Sequence, residues 1–308
     1  MRLTARPAAS RLRRPPTAFD ADREAHLQRA RTVVARLCYE IVPVGDVARV
    51  VDELDIARRV EFVADAPVTV TCSPTKGLGA TLDLTALLLD RGHRVIPHLS
   101  ARLVEGPEHV RSLASWLRDH GVTTVFVVGG DAPDAAGPYP DGHSLLCALL
   151  QHDLPVRAVG FPTYPDGHPF IPDAVLAGAL LDKQSLIAEA GLVAWTTTQM
   201  CLDATRVRTW LAAARRSGLE MPVHLGIPGV VDRTKLMRLG VRMGVGQSLR
   251  YLRKNRRVVT SMTMPGGFDP SGLVTQLPLG DVTGLHAFTF NGVAATSAWQ
   301  HRFVDEVR

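Results

Sequence analysis

The chain of 308 residues is 46% hydrophobic and 21% charged, close to the globular average, so general disorder is excluded. No apolar run approaches the ~20 residues that span a bilayer, which argues against a membrane protein. The formal charge of +5 hints at nucleic acid, but all except four of the 35 basic residues are arginine. No arginine cluster is interleaved with aromatics, as a stacking groove needs.

Residues 1–22 open with MRLTARPAASRLRRPP, basic and proline-containing, without the ~7–15-residue apolar stretch of a signal peptide. They read as a frayed basic tail ahead of one domain over residues 23–308. The four cysteines, Cys38, Cys72, Cys147 and Cys201, are scattered and show no CxxC spacing. That pattern argues against a disulfide framework or a zinc cluster and fits a reducing, cytoplasmic compartment.

Beyond the tail, short runs rich in Val and Thr alternate with amphipathic stretches. Strands are expected at 37–42 (LCYEIV), 68–72 (VTVTC), 94–100 (RVIPHLS) and 123–129 (TTVFVVG). The second half adds 156–161 (VRAVGF), 193–200 (VAWTTTQM), 221–227 (MPVHLGI) and 285–291 (LHAFTFN). Such short apolar runs bounded by Gly and Pro suit parallel strands buried on both faces. Helical spacing is expected at 82–90, 108–120, 144–152, 174–190, 204–217 and 234–254. Segment 256–283, with MPGGFDPSG, reads as an ordered surface loop or a short helical insertion.

Eight strands alternating with helices predict a single α/β domain, a (β/α)8 TIM barrel. An open doubly wound sheet normally carries a Gly-rich fingerprint after its first strand, and here PVGD stands there instead.

In such a barrel the polar residues at the C-terminal strand ends come first for function. They are Glu40, Thr71, His98, Asp131, His168, Gln199 and Asn291. Glu40 interrupts an apolar strand, and desolvation favours the neutral form of a carboxyl group, which suits a general acid. An ion pair inside the barrel is the plainer alternative. Asp131, in GGDAPD, is also a natural turn residue. Gln199 suits a core hydrogen bond, the two histidines suit satisfied structural groups, and Thr71 suits an ordinary strand position. No set of metal ligands and no GxSxG elbow is present, so metal hydrolysis and acyl transfer lack their parts.

Taken in order, these segments resemble the methylenetetrahydrofolate reductase family. YEIVP is similar to that family's F-E-F-F-P-P, VIPHLS to its P-H-L-T, and VVGGDAP to its R-G-D-x-P. YPDGHP is similar to Y-P-x-x-H-P, TTTQM to I-T-Q, VHLGIPGV to P-G-I-x-P, and LHAFTFN to H-F-Y-T-L-N. VTVTCSP matches the second-strand segment, and the likeness runs from about Leu37 to Val304.

The resemblance implies reduction of 5,10-methylenetetrahydrofolate to 5-methyltetrahydrofolate, with Glu40 as the general acid that opens the imidazolidine ring. Asp131 and Gln199 would hydrogen-bond the pterin edge, and an anionic Asp131 would stabilise the iminium cation. Lys235 is open to the glutamate tail, beside its plainer reading as a solvated helix lysine. Thr71, His98, Tyr164 and His168 stand at the family's cofactor-contact positions.

Two departures bear on the cofactor. Members holding FAD have an Arg where Gly129 stands and a Lys where Ile187 stands, with Lys183 one turn earlier. Without those donors a pyrophosphate is held poorly, so the likeness implies direct hydride transfer from NADH or NADPH. The same reaction through bound FAD, a deazaflavin (F420) donor, or a non-catalytic folate-binding protein are the alternatives. The expected partner is the small-molecule folate, and homo-oligomerisation is open because family members assemble variously.

Overall fold

The computed structural model describes residues 18–59, 66–232, 234–236, 238 and 267–306. Eight parallel strands close into a barrel in sequence order, β1 pairing with both β2 and β8. They are β1 Cys38–Ile41, β2 Val68–Val70, β3 Val95–Ser100, β4 Thr124–Val128, β5 Ala158–Thr163, β6 Val193–Thr198, β7 Val223–Pro228 and β8 Gly284–Phe288. Each lies within or beside a run expected as a strand, and the (β/α)8 barrel is the fold.

A helix α1, Ala18–Ala35, precedes the first strand and begins inside the stretch read as tail. It packs beside the last helix, α9 (Val293–Glu306), where the Arg31 guanidinium donates to the Val304 carbonyl at 2.9 and 3.1 Å. The Gln300 amide of α9 donates to the Val34 carbonyl at 2.7 Å, and its oxygen bonds the hydroxyl of Tyr39.

After β1 comes α2, Val47–Ala57, a helix absent from the sequence expectations. Asp46 caps it by accepting from the Arg49 N–H. The outer ring continues with α3 (Gly77–Asp90), α4 (Pro107–Asp119), α5 (Gly142–Leu149), α6 (Asp173–Glu189) and α7 (Ala204–Arg216). In α4, Pro107 opens the first turn and Val110, Leu113, Ala114 and Leu117 are buried on one face.

Most of the helix expected over 234–254 lies outside the described residues, of which 234–236 and 238 are helical. The described part of the 256–283 excursion holds a short helix, α8 (Ser271–Val274), and a 3-10 turn, Leu279–Asp281. No described helix is long and apolar enough to cross a membrane.

The period of two along each strand divides its side chains. Outward residues such as Val68, Val70, Leu99, Val125, Val127, Phe161, Leu225 and Leu285 form the core beneath the helices. Burying a side chain of this size contributes about 1.5–3 kcal/mol, so this layer carries much of the stability. The residues between them face the barrel axis.

That axis is filled by rings. His98 stacks on Phe126 at 4.6 Å, Phe126 lies 6.1 Å from Trp195, and Trp195 lies 6.4 Å from His224. Gly160 pairs with Phe126 on one side and Trp195 on the other. A Cβ at Gly160 would fall 2.4 Å from both rings, so the absent side chain there is what admits them.

Candidate functional site

Glu40 is an inward residue of β1, in register with Phe288 of β8, and its side chain is 13% exposed. Two residues earlier Cys38 pairs with His286. This register brings the His286 Nε2 to 3.0 Å from the Glu40 Oε2. From β3, the His98 Nε2 stands 3.9 Å from the same oxygen. A carboxylate and two imidazoles from three strands therefore meet inside the upper barrel.

Their environments differ. His98 is 7% exposed, and burial holds its pKa down at about 4 against the pull of Glu40. Its Nε2 is buried and lacks a hydrogen-bond partner. Burial also works against a charged His286, but Cys38 and Glu40 outweigh it and hold that imidazole above its ordinary range. His98 thus stays neutral while His286 keeps a proton beside Glu40.

His286 is the residue that sequence reasoning missed, although it stands in the quoted LHAFTFN. The available signal was a polar residue at the inward parity of an otherwise apolar strand. Reading it required knowing that β8 closes on β1.

The remaining candidates sit higher, on the loops. Thr71, Tyr164 and Gln199 each immediately follow a strand, β2, β5 and β6. Gln199 donates its backbone N–H to the Thr163 carbonyl at 2.6 Å, and its side-chain oxygen accepts from the Met200 N–H at 2.8 Å. Its amide NH2 remains as the donor. Thr71 receives the Thr81 hydroxyl on its carbonyl at 3.0 Å, which ties it to α3.

Asp131 is exposed on the loop after β4, and among the described residues its carboxylate makes no hydrogen bond. Arg102 holds that loop. Its backbone N–H donates to the Gly129 carbonyl at 2.9 Å and its Nε to the Ala132 carbonyl at 2.6 Å, with further bonds to the carbonyls of Pro133 and Pro140. Gly130 has φ +98°, and a Cβ there would fall 1.9 Å from the Ser100 hydroxyl oxygen, so both the turn and the contact require glycine.

The charge of Asp131 reaches across the mouth to the β5 loop. Burial and then Asp131 push the Tyr164 hydroxyl up to about 12. Burial lowers His168, and Asp131 partly opposes it. Tyr164 and His168 meet edge-on at 5.2 Å, and His168 meets Phe170 at 6.0 Å. Asp166 anchors this loop from below, 3.5 Å from the Cys201 thiol and 3.8 Å from the Arg206 guanidinium.

Two candidates serve the framework. The Asn291 amide donates to the Val42 and Val44 carbonyls, each at 3.0 Å, and accepts from the Val42 N–H at 2.9 Å. It locks the segment after β1 that follows Glu40. Lys235 is exposed and donates from Nζ to the Phe290 carbonyl at 2.8 Å.

The positions bearing on a flavin are also defined. A Cβ at Gly129 would meet only the Asp141 Cα at 4.0 Å, so the site has room but no donor. Ile187 is 1% exposed within the apolar core. The Lys183 ammonium stands 5.9 Å over the Phe161 ring centroid, and burial lowers its pKa against the charges of Asp141 and Asp182. Among the described residues no group of three or more His, Cys, Asp or Glu is placed to hold a metal ion.

No family model matches the chain. Among solved structures, it is similar to a dihydropteroate synthase (FolP) from Thermus thermophilus at 16% identity and a TM-score of 0.44, covering 86% of this chain and 92% of that one. It is also similar to orotidine 5'-phosphate decarboxylase from Pyrococcus horikoshii at 13% identity and a TM-score of 0.43, covering 88% and 99%.

Proposed function

We propose that this protein is a cytoplasmic enzyme that reduces 5,10-methylenetetrahydrofolate to 5-methyltetrahydrofolate, taking hydride directly from NADH or NADPH. The observation that carries the reading is the Glu40–His286 pair, a carboxyl and an imidazole 3.0 Å apart at the inward face of the first and last strands. Binding alone needs no proton donor of this kind, and ring opening needs one.

In this mechanism the pair holds the proton. His286 holds it at rest and hands it to Glu40, 3.0 Å away, in the reacting complex. Glu40 then protonates the ring amine, the imidazolidine opens to the 5-iminium cation, and hydride adds to its methylene carbon. The exposed Asp131 carboxylate suits the N–H donors of the amino-pyrimidinone edge and the free Gln199 NH2 suits its carbonyl oxygen, while Asp131 offsets the iminium charge. Neutral, buried His98 adds no second cation beside the developing one.

The residues present fit FAD poorly. His98 is buried beside Glu40, Gly129 supplies no cation, and Ile187 is sealed in the core. Thr71, Tyr164 and His168 remain for the hydride donor.

The test is anaerobic oxidation of NADH by flavin-stripped protein with and without methylenetetrahydrofolate. Folate-dependent oxidation without added flavin is expected. Oxidation that begins only on adding FAD would remove the direct-transfer reading. No oxidation with NADH, NADPH or FAD would remove the reductase reading for these donors and leave a reduced deazaflavin as the next donor to try.

A further inference from the structure

The proton that Glu40 gives up in each turnover must be replaced, and the mouth of the barrel is a poor entrance for it. During reaction the mouth holds two flat substrates. On the β6–β8 side it is further closed by a buried apolar cluster of Met200, Leu202, Val231, Leu236, Phe268 and Phe288. At the opposite end of the barrel, Val193, the first residue of β6, is 63% exposed.

Between that end and the Glu40–His286 pair stands His224. It is an inward residue of β7, in register with Gly284, while Gly226 two residues on is in register with His286. His224 therefore occupies the layer directly beneath His286. Its ring is half-buried, and among the described residues it makes no hydrogen bond.

The fold makes room for this imidazole. A Cβ on Gly284 would lie 3.1 Å from its Cδ2 and 3.2 Å from its Nε2. Gly284 has no left-handed backbone to explain it, so the missing side chain serves the space that the ring takes. Trp195 closes the other side. Burial, and then the charge of His286, hold His224 near pKa 4. It rests neutral, with one N–H and one lone pair, the state that accepts a proton at one nitrogen and releases one from the other. The titratable groups facing His286 are Cys38 and Glu40 from β1, His98 from β3 and His224 from β7. Of these, Cys38 and His224 lie toward the N-terminal end of their strands; Cys38 is sealed at 4% exposure, whereas His224 is partly exposed.

We propose that His224 is a positioning residue for proton supply: it carries protons from solvent at the N-terminal end of the barrel to His286, which recharges Glu40. The inference rests on the reductase reading. In balance, one solvent proton enters at His224, one passes from His224 to His286, one from His286 to Glu40, and one leaves on the product amine. No electron moves along this route.

Two measurements on the full chain test it, and the first needs no activity. In protein labelled with 15N-histidine, exchange of the His286 ring proton with water is followed by NMR for the wild type, His224→Gln and His224→Leu. Slowing by about tenfold or more in both variants, with an unchanged spectrum elsewhere, is expected. Equal exchange in all three would overturn the proposal, whatever the enzyme proves to catalyse.

The second measurement is kinetic. With His224→Gln, the first turnover, for which the Glu40–His286 pair already holds its proton, keeps its rate within about twofold. Steady-state turnover in weak buffer falls by about tenfold and recovers on adding imidazole. A loss of first-turnover rate that imidazole does not restore would mean that His224 merely supports packing. Failure of the wild type to turn over at all would strike the reductase reading and leave the exchange result standing.

Discussion

At the scale of single residues, the site turns on Glu40 and on what surrounds it. Replacing it by Gln keeps the shape and removes the proton. Turnover of methylenetetrahydrofolate should then fall by roughly 10²–10⁴-fold while folate affinity by calorimetry stays within a few-fold. Unchanged turnover would take Glu40 out of the mechanism. Asp131 makes a contrasting case, since it lies exposed and bonds to nothing described. Asp131→Asn should weaken folate binding and slow the chemical step together, while leaving the melting temperature unmoved. A marked loss of stability would show that the carboxylate is a framework group after all.

At the scale of elements, the inner faces of the strands are matched by size. Gly160 of β5 exists for its neighbours: a Cβ would drive into both Phe126 and Trp195. Gly160→Ala should cost about 1–3 kcal/mol in chemical denaturation, as overpacking a closed interior does. A variant as stable as the wild type would mean the two rings have slack the structure does not show. The loops are fixed by equally local means. Asn291, at φ +64°, bonds the segment after β1, and Arg102 gathers four carbonyls of the β4 loop around Asp131. Both sites carry polar groups whose bonding could not be assigned from sequence, because their partners are backbone atoms of other elements.

At the scale of the whole molecule, buried histidines tie stability to pH. His98 and His224 are both held near pKa 4 in the fold, against 6.5 for a free imidazole. Between about pH 6.5 and 4 the unfolded chain binds more protons than the native one, so stability rises with pH across this window and is lost as pH falls through it. His286 is raised and acts oppositely, its contribution being present below the ordinary imidazole value and fading as pH climbs above it. The melting temperature should therefore fall on acidification from pH 6.5 to 4, and His224→Gln should shallow that slope. Parallel slopes for the two proteins would mean that His224 titrates normally in the fold.

The barrel itself was legible in the chain, since eight short buried runs alternating with helical spacing leave few ways to cover both faces of every strand. Glu40 was legible too, as a carboxylate in an apolar run. The helix α2 was less so, and α1 was partly hidden in a stretch that reads as a basic tail. What surrounds Glu40 was decided only in three dimensions. His286 lies 246 residues away in sequence, and it reaches the carboxylate because β8 closes on β1 in one particular register. His98, on β3, is likewise a buried neighbour of the acid, 3.9 Å away, only because of how the strands are staggered around the barrel. Sequence pattern sets which face a side chain takes, because that depends on a local period of two. Which faces meet depends on closure and stagger, and those are properties of the assembled barrel.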